Sequence, residues 1–181
     1  ALAPVRDLGR AGRLPRRAGI RQLRLYFMVG LPTETMDDVA EIPRLAKFLE
    51  HSVIKESLGK KHLGLITLSL SSFVPKPFTP FQWTPFLAVA ELKKRLKLVA
   101  REFHGVKTVR VHTDLPKWAY VQALLARGDR RVADILAAAH ERGWTRALTE
   151  NPINPDFFTL RERRAGELFP WDFIDHGISK K

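Results

Sequence analysis

The feature that most constrains this chain is a strand, a tight turn, a helix and a second strand in direct succession between Gln22 and Phe73. From Gln22 to Val29, Leu23, Leu25, Phe27 and Val29 fall on one side and Arg24, Tyr26 and Met28 on the other, the period of two that a pleated strand requires. Gly30-Leu31-Pro32-Thr33-Glu34-Thr35 follows, and then Val39, Ile42, Leu45, Ala46 and Leu49 recur at helical spacing, with Thr33 or Thr35 available as the N-cap. Pro43 sits well inside that run, where a proline costs about 3 kcal/mol, so a bend or an early break is expected there. Leu65 to Phe73 alternates again, with Ile66, Leu68 and Leu70 on one face and Thr67, Ser69, Ser71 and Phe73 on the other. Two strands joined through a helix pair in parallel as a right-handed βαβ unit.

In a βα barrel the outward face packs against helices and the inward face lines the interior, which sends the leucines out and the hydroxyls in, toward the C-terminal mouth. The plain alternative is a half-exposed sheet whose serines and threonine are ordinary pleat residues. Val74 to Pro85 is rich in proline and aromatics and reads as a rigid extended loop. Val89, Leu92, Leu96, Val99 and Phe103 then mark an amphipathic helix whose other face carries Lys93, Lys94, Arg95, Lys97 and Arg101. Val106 to Val111 has the character of a short strand, and Pro116 to Arg127 and Asp129 to Arg142 read as helices closed by Gly128 and Gly143. Asn154-Pro155 is a capped helix start with proline at the first helical position, and the last residues show no period. The expected division is a loose basic leader over 1–21, a strand, helix, strand and loop segment over 22–87, and a mainly helical extension over 88–181.

Composition narrows the chemistry. With 45% hydrophobic residues in 181 the chain is a folding sequence, and the absence of cysteine excludes disulfides, thiolate metal sites and any Cys-ligated iron–sulfur cluster within it. No apolar run is long enough to span a bilayer, so no membrane partner and a cytoplasmic setting are expected. The net charge of +12 is concentrated at the start, where seven arginines between Ala1 and Arg24 face one aspartate. Beginning at Ala1 rather than methionine suggests a fragment.

The GLPTET turn at Gly30 to Thr35 resembles the GLPGxT or GxPGET segment of radical S-adenosylmethionine enzymes, where it ends the fifth barrel strand. The run from Ser69 to Pro80 is similar to the sixth strand and following loop of that superfamily. In methylthiotransferase-like members the loop reads roughly Ser-x-Arg-x-Gly-Thr; Lys76 and Thr79 would take the Arg and Thr places, and Phe78 stands where glycine is common. The strings LYFMVGLPTET, FVPKPFTPFQW, RGDRR and LFPWDFIDHGISK, in the same order over Gly19 to Lys181, look like uncharacterised radical S-adenosylmethionine proteins with an N-terminal cobalamin-binding-type domain. The resemblance implies an α/β fold, the C-terminal portion of a partial (βα) barrel followed by a mostly helical extension. It implies an upstream CxxxCxxC loop, absent here, holding a four-iron four-sulfur cluster that cleaves S-adenosylmethionine to a 5′-deoxyadenosyl radical, with cobalamin as a further cofactor. The partner would be the missing N-terminal part of the same enzyme, the fragment alone would be inactive, and the substrate is not named by the residues.

On that resemblance the cofactor-binding candidates are Gly30, Leu31, Pro32, Glu34, Ser69, Ser71 and Lys76. Gly30 also serves simply as a permissive turn residue, Glu34 as a complement to the helix dipole, and Lys76 as a solvated loop cation. No catalytic residue is assigned. No metal site is expected, since the six histidines (51, 62, 104, 112, 140, 176) show no ligand spacing. Asp172, Asp175 and His176 have the look of an acid–base group but serve more simply to dock the tail, and the four tryptophans read as packing residues. Two other readings remain open: a basic RNA-binding module using the leader and the helix over 88–103, and a nonfunctional, open-edged remnant.

Overall fold

The computed structural model describes residues 22–55, 65–175 and 177; the arginine-rich leader over 1–21 and His62 and His176 lie outside them. The described residues divide into two compact units: a sheet unit of residues 22–72 and 90–115, and a helical unit of 73–89 and 116–177.

The sheet unit contains β1 (Gln22–Val29), α1 (Met36–Lys55), β2 (Leu65–Ser72), most of α2 (Val89–Arg101) and β3 (Val109–Thr113). All three strands run parallel in the order β1-β2-β3, with Gln22 to Val29 opposite Leu65 to Ser72 and Ile66 to Leu70 opposite Val109 to Thr113. The expected βαβ pairing is therefore present, and Gly30 and Phe73 each follow the last paired residue at one end of the sheet. The helix after Val89 leads back into a third strand, so the sheet unit takes in residues beyond 88.

One face of the sheet is apolar. Ile66, Leu68 and Leu70 are buried, as are Val39, Ile42, Ala46 and Leu49 of α1 and Leu92, Leu96 and Val99 of α2. Lys47 Nζ reaches Glu102 Oε2 at 2.6 Å, and Thr108 donates to Glu50, which ties α1 to the segment after α2. The other face carries Arg24, Tyr26, Met28, Thr67, Ser69, Ser71, Arg110 and His112, and Tyr26 is 75% exposed.

The break expected at Pro43 is absent: α1 runs unbroken from Met36 to Lys55 with Pro43 inside it. Pro43 itself is buried, and the apolar contacts on either side of it, from Val39 and Ile42 to Ala46 and Leu49, offset the lost hydrogen bond.

The helical unit holds α3 (Pro116–Arg127), α4 (Val132–Arg142), α5 (Trp144–Thr149) and α6 (Asp156–Thr159). Gly143, with φ 80°, closes α4 through its N–H to Ala139 O at 2.9 Å, as a C-terminal glycine should. Helix α6 starts one residue later than the sequence implies: Pro155 is the N-cap, and Asn154 Oδ1 accepts the Asp156 N–H at 3.0 Å. The sequence pattern gave no signal for α5.

Arg127 organises this unit. Its side chain is 1% exposed, and its guanidinium donates to the backbone carbonyls of Phe158 (2.8 Å), Gln82 (3.3 Å), Thr84 and Arg161 (2.7 Å). Burial, with Arg163 and Arg161 nearby, pushes it down to about 10, so it remains a cation at neutral pH. Arg163 N–H to Trp83 O at 2.9 Å, Phe86 N–H to Thr159 O at 2.9 Å and Trp171 Nε1 to Gln82 Oε1 at 3.0 Å fasten the same loop. Replacing Arg127 with Lys keeps the charge but cannot reach four carbonyls. A loss of about 3 kcal/mol is expected in urea unfolding, against less than about 0.5 kcal/mol for the exposed Arg130.

Gly128 is required for space. A β-carbon there would lie 2.3 Å from Val132 Cγ2 and 2.7 Å from Leu124 O. Gly128→Ala should destabilise by about 1–3 kcal/mol; a thermal midpoint equal to that of the unaltered chain would contradict this packing.

Candidate functional site

The turn after β1 is built by three side chains. Gly30 has φ 92° and Thr33 φ 66°, both left-handed. The Gly30 N–H donates to Glu34 Oε2 at 2.6 Å, and the Glu34 N–H to Leu31 O at 3.1 Å. Arg95 Nη1 then donates to Glu34 Oε2 at 2.8 Å and to Glu34 O at 3.0 Å, while its Nε meets Glu91 Oε1 at 3.3 Å. Glu34 and Arg95 are 8% and 12% exposed, so this is a mostly buried ion pair joining the turn to α2.

Between the two N-cap candidates, Thr35 holds the place. Its Oγ1 accepts the Asp38 N–H at 3.2 Å, and Asp38 Oδ2 accepts the Thr35 N–H at 2.8 Å, a reciprocal capping box. The Thr35 N–H and, at 2.7 Å, the Thr35 hydroxyl both donate to Asp38 Oδ2, and these two bonds hold the Asp38 carboxyl below its usual range.

The structure brings Gly30, Leu31, Pro32 and Glu34 together in one turn at the end of β1. Leu31 is exposed and Gly30 buried. Ser69 pairs with Tyr26 and Ser71 with Met28, on the face that helices do not cover. The Ser71 hydroxyl makes one long hydrogen bond to Phe27 O at 3.4 Å. Lys76 is exposed and belongs to the loop that groups with the helical unit. In that loop Phe78 takes φ 60°, and Thr79 Oγ1 donates to Lys76 O at 2.8 Å.

In the tail, Asp172 Oδ2 accepts the Phe169 N–H and Asp175 Oδ1 the Gly177 N–H, both at 2.8 Å. These are local turn contacts. Trp171 stacks on Phe169 at 4.9 Å with Arg163 beside both rings, and Trp83 tilts against Phe169 at 5.8 Å. Among the described residues no group of three His, Asp or Glu could hold a metal.

With no cysteine, the chain offers nothing to ligate an iron–sulfur cluster. For S-adenosylmethionine it offers hydroxyls on the open face and the backbone of the 30–32 turn, whereas the Glu34 carboxylate is already engaged by Gly30 and Arg95. Sequence reasoning missed Arg95, because its role depends on a carboxylate 61 residues away. Its place on a basic helix face pointed to solvent, as holds for Lys93, Lys94, Lys97 and Arg101.

The chain is 40% identical over 50 residues to an uncharacterized protein, MJ0966, of Methanocaldococcus jannaschii; the match covers 28% of this chain and 11% of that protein. No family model and no solved structure matches it. Among the described residues no helix is long and apolar enough to cross a membrane.

The turn geometry has a measurable consequence. A β-branched residue in the left-handed region is strained by about 1–2 kcal/mol, and glycine returns part of that gain to the unfolded chain. Thr33→Gly is therefore expected to raise stability by about 0.5 kcal/mol, and Glu34→Gln to lower it by about 2 kcal/mol by leaving Arg95 short of its partner. Urea unfolding of the two variants, with opposite signs, checks both.

Proposed function

We propose that this chain is the C-terminal part of a radical S-adenosylmethionine enzyme, supplying the cofactor and substrate side of a barrel begun by upstream residues. The observation that carries the reading is the turn after β1. It ends a parallel strand, and Thr33 holds a left-handed conformation at the place where the GLPGxT motif has glycine. Phe78 supports it in the same way, with φ 60° at the glycine place of the loop after the next strand. Two left-handed positions held by threonine and phenylalanine, where the motif has glycine, are what supports the reading.

The open sheet face fits a barrel interior in character, since its serines and threonine stand opposite an apolar, helix-covered face. Gly30, Leu31 and Pro32 offer backbone to the cofactor, and Ser69 and Ser71 offer hydroxyls. Glu34 acts through Gly30 and Arg95 to hold the turn, as a positioning residue. When bound in a complete enzyme, the cluster and S-adenosylmethionine would supply radical chemistry, and this chain would contribute the turn backbone and the hydroxyls that face them. The setting proposed is cytoplasmic, with the upstream part of the same enzyme as partner.

The test is anaerobic iron and sulfide reconstitution of a longer natural chain that includes the upstream region. A brown, reducible four-iron cluster and release of 5′-deoxyadenosine are expected, with neither from the 181-residue chain alone. A longer chain that takes up no iron, or turnover by the cysteine-free chain, overturns the reading.

A further inference from the structure

Across the three strands, Arg24, Thr67 and Arg110 stand at one register level on the open face. Neighbouring strands lie about 4.8 Å apart, so the two arginine backbones are roughly 10 Å apart, close enough for both guanidiniums to close on one anion between them. Both arginines are exposed, and among the described residues neither meets a carboxylate. This sets them apart from Arg95, Arg131 and Arg161, each held by a carboxylate in its own unit. Thr67 is 1% exposed between them, its hydroxyl accepting from Gln22 Nε2 at 3.3 Å.

The next level up the strands is Tyr26, Ser69 and His112. Tyr26 is 75% exposed, a flat ring standing on the sheet two residues beyond the arginines, roughly 7 Å along the strand. Above and below, Met28 with Ser71 and Gln22 with Leu65 bring no further cation.

We propose that this face binds a mononucleotide, with its phosphate between Arg24 and Arg110 and its base against Tyr26. Two forked cations match the charge of one terminal phosphate, and an exposed aromatic ring at the adjacent level offers a stacking surface. A longer nucleic-acid strand would need cations along its path, and among the described residues the levels to either side offer no lysine or arginine. Two uncompensated guanidiniums on one level also resist being covered by apolar protein, since each would lose hydration without a partner. The site needs only the sheet unit, so a longer chain that failed to bind iron would leave it standing.

The experiment is a nitrogen-15 NMR titration of the 181-residue chain at low ionic strength with AMP, inorganic phosphate and adenosine in turn. AMP and phosphate should both move resonances of residues 22–29, 65–72 and 109–113, AMP binding several-fold more tightly, and adenosine should not saturate. Arg24→Gln and Arg110→Gln should each weaken AMP by about tenfold or more. Tyr26→Ala should bring AMP down to the level of phosphate, and a Lys93→Gln, Lys97→Gln pair on the helix should change nothing. The spectra of each variant report its fold, and Arg24→Lys, which keeps charge without the fork, should retain part of the affinity. The proposal is overturned by shifts centred on the α2 lysines or outside the sheet, by unchanged affinity in Arg24→Gln, or by a single-stranded 20-mer that binds with a steep salt dependence where AMP does not bind.

Discussion

Parallel pairing governs the sheet unit. Strands that run the same way cannot be joined by hairpins, so the chain must travel back across a face each time it adds a neighbour. The first return is α1 and the second ends in α2, and the ion pair between Lys47 and Glu102 links those two returns. The face they cover has to be apolar, which is where Ile66, Leu68 and Leu70 lie. Pleating then leaves the alternate residues, from Arg24 and Tyr26 to Thr67, Ser69, Arg110 and His112, on the opposite side, where Arg24, Tyr26, Arg110 and His112 are exposed and Thr67 is buried between the arginines. Every candidate for ligand binding in this unit follows from that single division, except the turn that caps β1.

Arginine performs three different tasks here, and the net charge of +12 distinguishes none of them. Arg127 is a buried framework cation whose partners are carbonyl dipoles rather than a carboxylate, and it holds residues 82–84 to 158–161 within the helical unit. Arg95 closes a turn through Glu34. Among the described residues Arg24 and Arg110 do neither, and two exposed cations at one register level are what the ligand proposal draws on.

β1, β2 and α1 were legible because periodicity reports local geometry, whereas β3, expected over Val106 to Val111, runs from Val109 to Thr113 because Val106 closes a turn on Phe103. The early break offered for Pro43 does not occur because the rule for proline counts one hydrogen bond and omits the apolar contacts on either side of it. The segment over 74–85 was legible as a loop, but it turns through Thr79–Gln82 and Phe81–Thr84 rather than running extended, and the unit it joins is decided by Arg127 and Trp171, which lie far along the chain. Glu34 was open between a cofactor role and a dipole role, and the structure gives a third, a bond to Gly30 and Arg95. Such roles rest on long-range partners that no spacing rule contains.

The two proposed sites differ in the sign of charge they welcome, and they meet at the level of Tyr26 and Ser69. The turn at Gly30 lies six residues beyond Arg24, roughly 20 Å along the strand direction. S-adenosylmethionine carries a sulfonium cation, which two unpaired guanidiniums in contact would repel, whereas a phosphate is drawn to them. At that separation in a solvated face the repulsion is screened to a small fraction of its contact value, since the Debye length is about 8 Å at physiological ionic strength. The turn backbone and Ser71 near the C-terminal end can therefore serve a cationic cofactor while the arginine pair serves an anion, but a base on Tyr26 and a cofactor on Ser69 occupy one level and would exclude one another.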